Sequence, residues 1–354
     1  MKIETLILND FMLFDKAEIE WSKNINIICG ENSTGKTTLL KVMYSLLKPM
    51  SIEKRGATTK DIEEKQVVEK LQGVFRPDGM KVGRLVRRKQ GSSRTEFAMV
   101  FDNKQKISVG FGNRQENHVD IKSEQMSPFE KFDAIYIPTK EMISTTEHFV
   151  SLYDEYHIDF EEMYYDLAKL LDRPLSKGPN TNEQNEILKS IEEIMKGQII
   201  QRDKKFYLKI KGEGEFEMGL LSDGYRKLSM ILYLILSGSL NKNAVLFWDE
   251  PETNMNPGMI HPIVQAMVQL AKMGVQIFVT THGYFVQQEF NMLTVYPELN
   301  LDGLDIRFMS LYRDSESNAV MYEMKETASG LKNNAIMREF DAIYDREQGI
   351  IYGS

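Results

Sequence analysis

The chain has 354 residues, 42% of them apolar, enough for one large or two small domains with a substantial core. Its formal net charge of −8 opposes tight non-specific binding to a polyphosphate, so nucleic acid would have to meet a local basic patch. The single cysteine, Cys29, excludes an internal disulfide, and no apolar run reaches the length of a signal peptide or a membrane span, so a cytoplasmic protein without membrane contact is expected.

Alternation over Lys2 to Leu8 and Ala17 to Trp21, then an apolar run over Ile25 to Cys29, predicts three strands, with Cys29 as a buried packing residue. A helix is expected from Lys36 to Leu47, ended by Pro49. Residues 51–72 are charged and read as part helix, with Ile62, Val67, Val68 and Leu71 as its apolar positions. Between Lys81 and Ile121 the short alternating runs VGRLVRR, EFAMVFD and KISVGFG predict an antiparallel β lobe. Apolar residues from Leu152 to Leu171 recur at steps of three and four and predict one amphipathic helix, ended by the breaker DRPLSKGPN. Thr181 and Gln184 form a capping box for a second helix with the stripe Ile187, Leu188, Ile191, Ile194 and Met195. Together they predict an inserted helical hairpin over 150–200, with arms of roughly 30 Å at most. Strands near 198–218, a helix opening at Ser222, a strand over Ala244 to Trp248, a helix near Met259 to Lys272 and a strand over Gln276 to Thr280 follow. The last part reads as strands over Asp305 to Tyr312 and Val320 to Lys325, then a helix from Leu331 to about Tyr344.

Residues 30–37, GENSTGKT, fit a phosphate loop set between an apolar strand and a helix. Gly30, Asn32, Ser33, Thr34 and Gly35 would curve backbone amides around phosphate oxygens. Lys36 would neutralise the β and γ phosphates, the Thr37 hydroxyl would ligate Mg²⁺, and Thr38 completes the loop. AVLFWDE, 244–250, ends an apolar strand in two carboxylates, and burial there calls for a cation. Asp249 is the expected Mg²⁺ ligand, directly or through water, and Glu250 the residue that polarises the attacking water. His282, in the Thr-Thr-His-Gly that follows the next strand, would face the same crevice. Leu-Ser-Asp-Gly at 221–224 opens an apolar helix, so Ser222 and the amides after it form a second anion-attracting helix start.

The order phosphate loop, LSDG, DE, then His resembles the ABC-type ATPases, and within them the branch of RecF, the structural-maintenance-of-chromosomes ATPases and the overcoming-lysogenisation-defect family. MKIETLILNDFMLF is similar to that branch's opening strand, and DEPETNMNP to its Walker B segment; phage-defence ATPases without a TOPRIM domain share this character. The resemblance implies one ABC-type α/β domain over 1–354, a P-loop fold with a mixed central sheet. Within it lie the β lobe at 81–121, the helical insertion at 150–200, and the signature, Walker B and His-loop part at 220–345. It also implies ATP and Mg²⁺ as cofactors, with catalysis by Glu250, His282 and Lys36, and with Ser222 and Gly224 contacting the γ-phosphate held by a second copy. Asn256 stands where relatives carry a subunit-communicating Asp or His and Met12 where many carry an Arg; the usual metal-sensing Gln has no counterpart, and Ile137 to Met142 occupies the comparable region of the defence-type ATPases with Lys140 or Glu141 as poor substitutes.

Lys81, Arg84, Arg87, Arg88, Lys89 and Arg94 crowd one predicted hairpin, either a contact for nucleic-acid phosphates or, as the acidic chain favours, a solvated sheet edge. The aromatic stripe from Tyr153 to Leu171 reads first as packing and second as a protein interface. The segment after His282 is too short for a TOPRIM nuclease. The expectation is therefore an ATPase that dimerises head to tail and serves as sensor or scaffold for a separate nuclease or toxin in anti-phage defence. The alternatives are a RecF-like DNA-repair or recombination ATPase acting on DNA directly, a transporter ATPase subunit, and a nucleotide-gated binding protein with little turnover.

Overall fold

The computed structural model describes residues 1–52, 62–124, 132–156, 158–176, 178–300 and 302–352. Residues 53–61 of the expected 51–72 segment and Lys177 of the expected breaker lie outside the described residues. The chain opens with β1 (Ile3–Phe11), β2 (Phe14–Glu20) and β3 (Ile25–Gly30). β2 alternates buried and exposed residues, as a strand covered on one face does, whereas every residue of β3 is buried. Next come α1 (Lys36–Ile52), α2 (Glu64–Phe75), β4 (Arg94–Phe101), β5 (Lys106–Gly112), β6 (Asp120–Glu124) and the short β7 (Ala134–Ile137). After α3 (Phe149–Tyr156) and α4 (Glu162–Leu171), α5 (Asn182–Met195) begins with the expected capping box. There Thr181 Oγ1 accepts from the Gln184 amide at 3.2 Å and Gln184 Oε1 from the Thr181 amide at 2.9 Å. β8 (Gly197–Arg202), β9 (Lys205–Ile210) and β10 (Gly214–Glu217) lead to α6 (Asp223–Leu236). The remainder is β11 (Val245–Asp249), α7 (Ile260–Lys272), β12 (Gln276–Thr280), α8 (Tyr284–Val295), β13 (Ile306–Arg313), β14 (Val320–Lys325) and α9 (Ala335–Tyr352).

The architecture is α/β. A six-stranded central sheet runs in the order β14-β13-β3-β12-β11-β7, parallel from β13 to β7 with β14 antiparallel at the edge. A five-stranded antiparallel sheet has the order β2-β1-β4-β5-β6, and a smaller three-stranded one β10-β9-β8. β11 and β12 are buried throughout, which is why they read as continuous apolar runs. One core joins the two larger sheets and includes Leu39, Met43 and Leu47 of α1, Phe97 and Phe111 of the antiparallel sheet, and Phe247 and Phe278 of the central sheet. The second core lies on the opposite face, with Ile27, Trp248 and Ile277 under Ile187, Ile231, Met267 and Phe290. Cys29 is fully buried there, and burial pushes its thiol up to about 12, as expected of a packing residue.

Several expected elements differ. α1 continues past Pro49 to Ile52, because Leu46, Leu47 and Met50 are buried and their packing outweighs one lost backbone bond in the last turn. VGRLVRR is no strand: Val82–Leu85 is a short 3₁₀ turn, Val86 makes a single bridge to Phe11, and the Lys81–Arg94 hairpin does not form. The strands of the lobe instead extend β1 and β2 into one sheet. The single helix expected over Leu152 to Leu171 is split into α3 and α4. Between them Arg76 donates to the Phe160 carbonyl at 2.8 Å, and Glu161 and Glu162 turn inward to pair with Lys41 and Lys70. α4 packs on β7, α2 and α6, and α5 on α6 and α7, so these two helices of the 150–200 insertion lie on the body of the molecule. α9 reaches Tyr352, and α8 and β7 had no counterpart in the sequence reading.

Candidate active site

β3, β11 and β12 lie side by side in parallel, so the residues at their C-terminal ends share one edge of the sheet. Gly30 ends β3 at a φ of 142°, and a Cβ there would come within 2.2 Å of the Leu311 carbonyl oxygen, so only glycine fits. The loop then turns through Ser33 and Gly35, both at positive φ, into α1. Asn32 and Ser33 are exposed, Thr34 is buried and donates to the Glu31 carbonyl at 2.7 Å, and Thr37 and Thr38 are half-buried in the first turn of α1. The Lys36 ammonium folds back onto the carbonyls of Gly30 and Glu31, each at 2.9 Å. Burial holds its pKa below the usual lysine value, against the pull of Glu250 and Asp249.

Asp249 is paired in register with Thr280 across β11 and β12. Its carboxylate accepts from the Thr37 hydroxyl at 3.1 Å, from the Tyr136 hydroxyl at 3.3 Å and from the Thr280 hydroxyl. Burial still pushes its pKa up, because hydroxyls compensate less than a cation would. A desolvated carboxylate beside a threonine hydroxyl, both oxygen donors at the mouth of a phosphate loop, fits Mg²⁺, which prefers a few protein oxygens together with phosphates and water. Glu250 follows at a φ of 48°, a costly conformation for a non-glycine residue. Its amide donates to the Thr280 carbonyl at 3.2 Å and the Thr280 hydroxyl at 3.0 Å, and its carboxylate meets His282 Nε2 at 2.9 Å. Glu252, which the sequence reading passed over, accepts from the Thr281 hydroxyl at 2.7 Å and the amides of His282 and Gly283 at 2.7 and 2.9 Å. It fixes the loop that carries His282; the only signal in the sequence was its place in DEPE.

Ser222 caps the N-terminus of α6, is exposed, and its hydroxyl makes no capping bond. No hydrogen bond joins it to residues 30–38 among the described residues. Gly224 is buried, with Met259 side-chain atoms about 3.0 Å from where a Cβ would stand. Asn256 caps the next turn, accepting from the Gly258 amide at 2.9 Å. Glu141, considered above as a metal-sensing substitute, is committed elsewhere: it is buried and pairs with Arg226 of α6 at 2.9 Å, while Arg226 also grips Asp223.

A cavity of about 490 Å³ beside the phosphate loop is lined by Met12, Leu13, Arg84, Arg87, Arg88, Arg313 and their neighbours, and Arg313 donates to the Ser33 carbonyl at 3.0 Å. Most of the basic cluster is neutralised. Lys81 pairs with Glu116, Arg84 with Asp78, Arg87 with Asp15, Lys89 with Asp10 and Asp15, and Arg94 with Asp120, leaving Arg88 without an ion pair among the described residues.

The family described as "AAA domain, putative AbiEii toxin, Type IV TA system" matches residues 25–286, from the first residue of β3 into α8. The chain belongs to this AAA-domain family. Short stretches are similar to the DNA replication and repair protein RecF of Halalkalibacterium halodurans, 35% identical over 63 residues, and of Clostridium kluyveri, 43% over 63 residues. Each match covers 18% of this chain and 16% of the relative, so the chain spans about a sixth of the curated relatives it matches. In fold the AAA-domain chain is similar to the SmcHead bound to the C-winged helix domain of ScpA, with 13% identity, a TM-score of 0.56, and 94% and 100% of the two chains covered. An Smc head with an extended coiled coil, bound to the C-terminal domain of ScpA derived from Pyrococcus furiosus, gives 11% identity, a TM-score of 0.51, and 97% and 99% coverage. The fold is that of an ABC-type P-loop ATPase, shared with the Smc heads. Among the described residues no helix is long and apolar enough to cross a membrane.

Proposed function

We propose that this protein hydrolyses ATP at a site completed by a second copy of itself, and uses the cycle to control a separate effector protein. The observation that carries this reading is the contrast between two phosphate-directed features. Lys36, Thr37, Asp249, Glu250 and His282 converge at one sheet edge, while Ser222 stands exposed at a helix start and its hydroxyl makes no capping bond. Lys36 exchanges its two backbone carbonyls for the β and γ phosphates, which repays the cost of its burial. Thr37 and Asp249 hold Mg²⁺, which when bound neutralises phosphate charge. Glu250, oriented by His282 and by its strained backbone, takes the proton of the attacking water. Ser222 and the amides after it reach the γ-phosphate of the other copy, so loss of that phosphate releases the pair.

The cavity beside Leu13 and Arg313 receives the nucleoside end of ATP. The effector role is supported by the family description, which names a toxin system, and by the separate partner protein bound to both similar Smc heads. Glu250→Gln is the test. It is expected to keep ATP binding, lose at least ~100-fold in turnover, and accumulate as an ATP-bound dimer in light scattering; a monomer under saturating ATP would contradict the cycle. Co-purification with proteins encoded beside it tests the effector role, and a chain that stays alone, without partner-dependent toxicity, would count against it.

A further inference from the structure

Lys227 lies five residues after Ser222 on the same helix and is 1% exposed. Its ammonium donates to the carbonyls of Pro251 and Thr253, both at 2.8 Å. No carboxylate is in salt-bridge contact with it among the described residues, and burial lowers its pKa against the more distant pull of Asp223 and Glu252. A buried cation satisfied only by neutral carbonyls is expensive, and a methionine would fill similar space without a charge. The two carbonyls belong to the turn that Glu250 opens at positive φ: Thr253 donates its amide to the Glu250 carbonyl at 3.1 Å, and Asn254 is again left-handed.

We infer that Lys227 is a positioning residue that ties the first turns of α6 to the Glu250 turn of the same chain, so that capture of a phosphate at Ser222 bears directly on where Glu250 points. This rests on the ATPase reading above, which supplies Glu250 with its task. The clamp is a pair of N–H···O bonds from an element that begins at one phosphate-directed residue to a loop that begins at another. Neighbouring Arg226 braces the same helix against Glu141, so that of these two cations Lys227 is the one that reaches the turn.

The experiment compares the full-length wild-type chain with Lys227→Met, using MgATP as the probe. The variant is expected to lower kcat at least ~10-fold with KM for ATP within about threefold, with a melting temperature within a few degrees of wild type. Amides 250–255 should exchange with deuterium faster whether or not the chain turns over. Unchanged exchange, an unchanged kcat, or a joint loss of kcat, ATP binding and melting temperature would each overturn the inference, the last by making Lys227 merely structural. A wild-type chain that hydrolyses no ATP would sink the functional reading and leave the exchange measurement to decide the clamp. If Lys227→Met does not fold, Lys227→Gln carries the same test, since it keeps two N–H donors for the two carbonyls and should show a smaller loss of kcat with the same sign.

Discussion

At the residue scale, the site stores its cost in a few groups. Asp249 is buried with only hydroxyl partners among the described residues, and Glu250 is held at positive φ. Such arrangements are retained for what they do once ligand arrives, and they predict that inactivation and stabilisation go together. Asp249→Asn is expected to abolish Mg²⁺-dependent turnover while the melting temperature at neutral pH stays level or rises by a few degrees. A marked fall in melting temperature would mean that the carboxylate is a structural anchor. Gly30→Ala has the opposite character: its Cβ would strike the Leu311 carbonyl, and both folding yield and nucleotide binding should fall together.

At the element scale, a buried ion network fastens α4 to the helix of the phosphate loop. Asp166 accepts from the Tyr44 hydroxyl at 2.6 Å and from Lys70 at 2.9 Å, and Lys70 also meets Glu162. Burial alone would raise the Asp166 pKa, but Lys70 and Lys48 outweigh it and hold the carboxyl below its usual value. Its stabilising contribution is therefore present above the unfolded value of about 4 and lost as pH falls through the lower folded value. Asp166→Asn should cost about 3 kcal/mol at pH 7, with the gap to wild type closing in acid, as read from urea midpoints. A gap independent of pH would contradict it. Much of this scale was legible beforehand: the capping box of α5, the continuous apolar runs of β3, β11 and β12, and the phosphate loop between strand and helix all declare themselves locally. What was hidden depends on contacts between distant segments. The split between α3 and α4 follows from partners on α1 and α2, the continuation of α1 through Pro49 from core packing, and the Glu141–Arg226 pair from a fold that brings residues far apart in sequence together.

At the scale of the whole molecule, one sheet edge gathers Lys36, Thr37, Asp249, Glu250 and His282, to which the proposed function gives the nucleotide, while Ser222, to which it gives the neighbour's phosphate, faces solvent. Lys36→Ala should cost at least ~100-fold in turnover and Ser222→Arg a similar factor, each chain alone being folded and almost inactive. Their losses have different origins. The first removes phosphate binding within a chain, and the second removes the contact a chain offers its neighbour. Mixing the two variants in equal amounts and measuring ATP hydrolysis therefore tests the central claim most directly. A head-to-tail pair of the two kinds contains one intact site, built from the Lys36 of one chain and the Ser222 of the other, so the mixture is expected to recover about a quarter of wild-type turnover. A mixture no more active than its two components would contradict a site shared between copies.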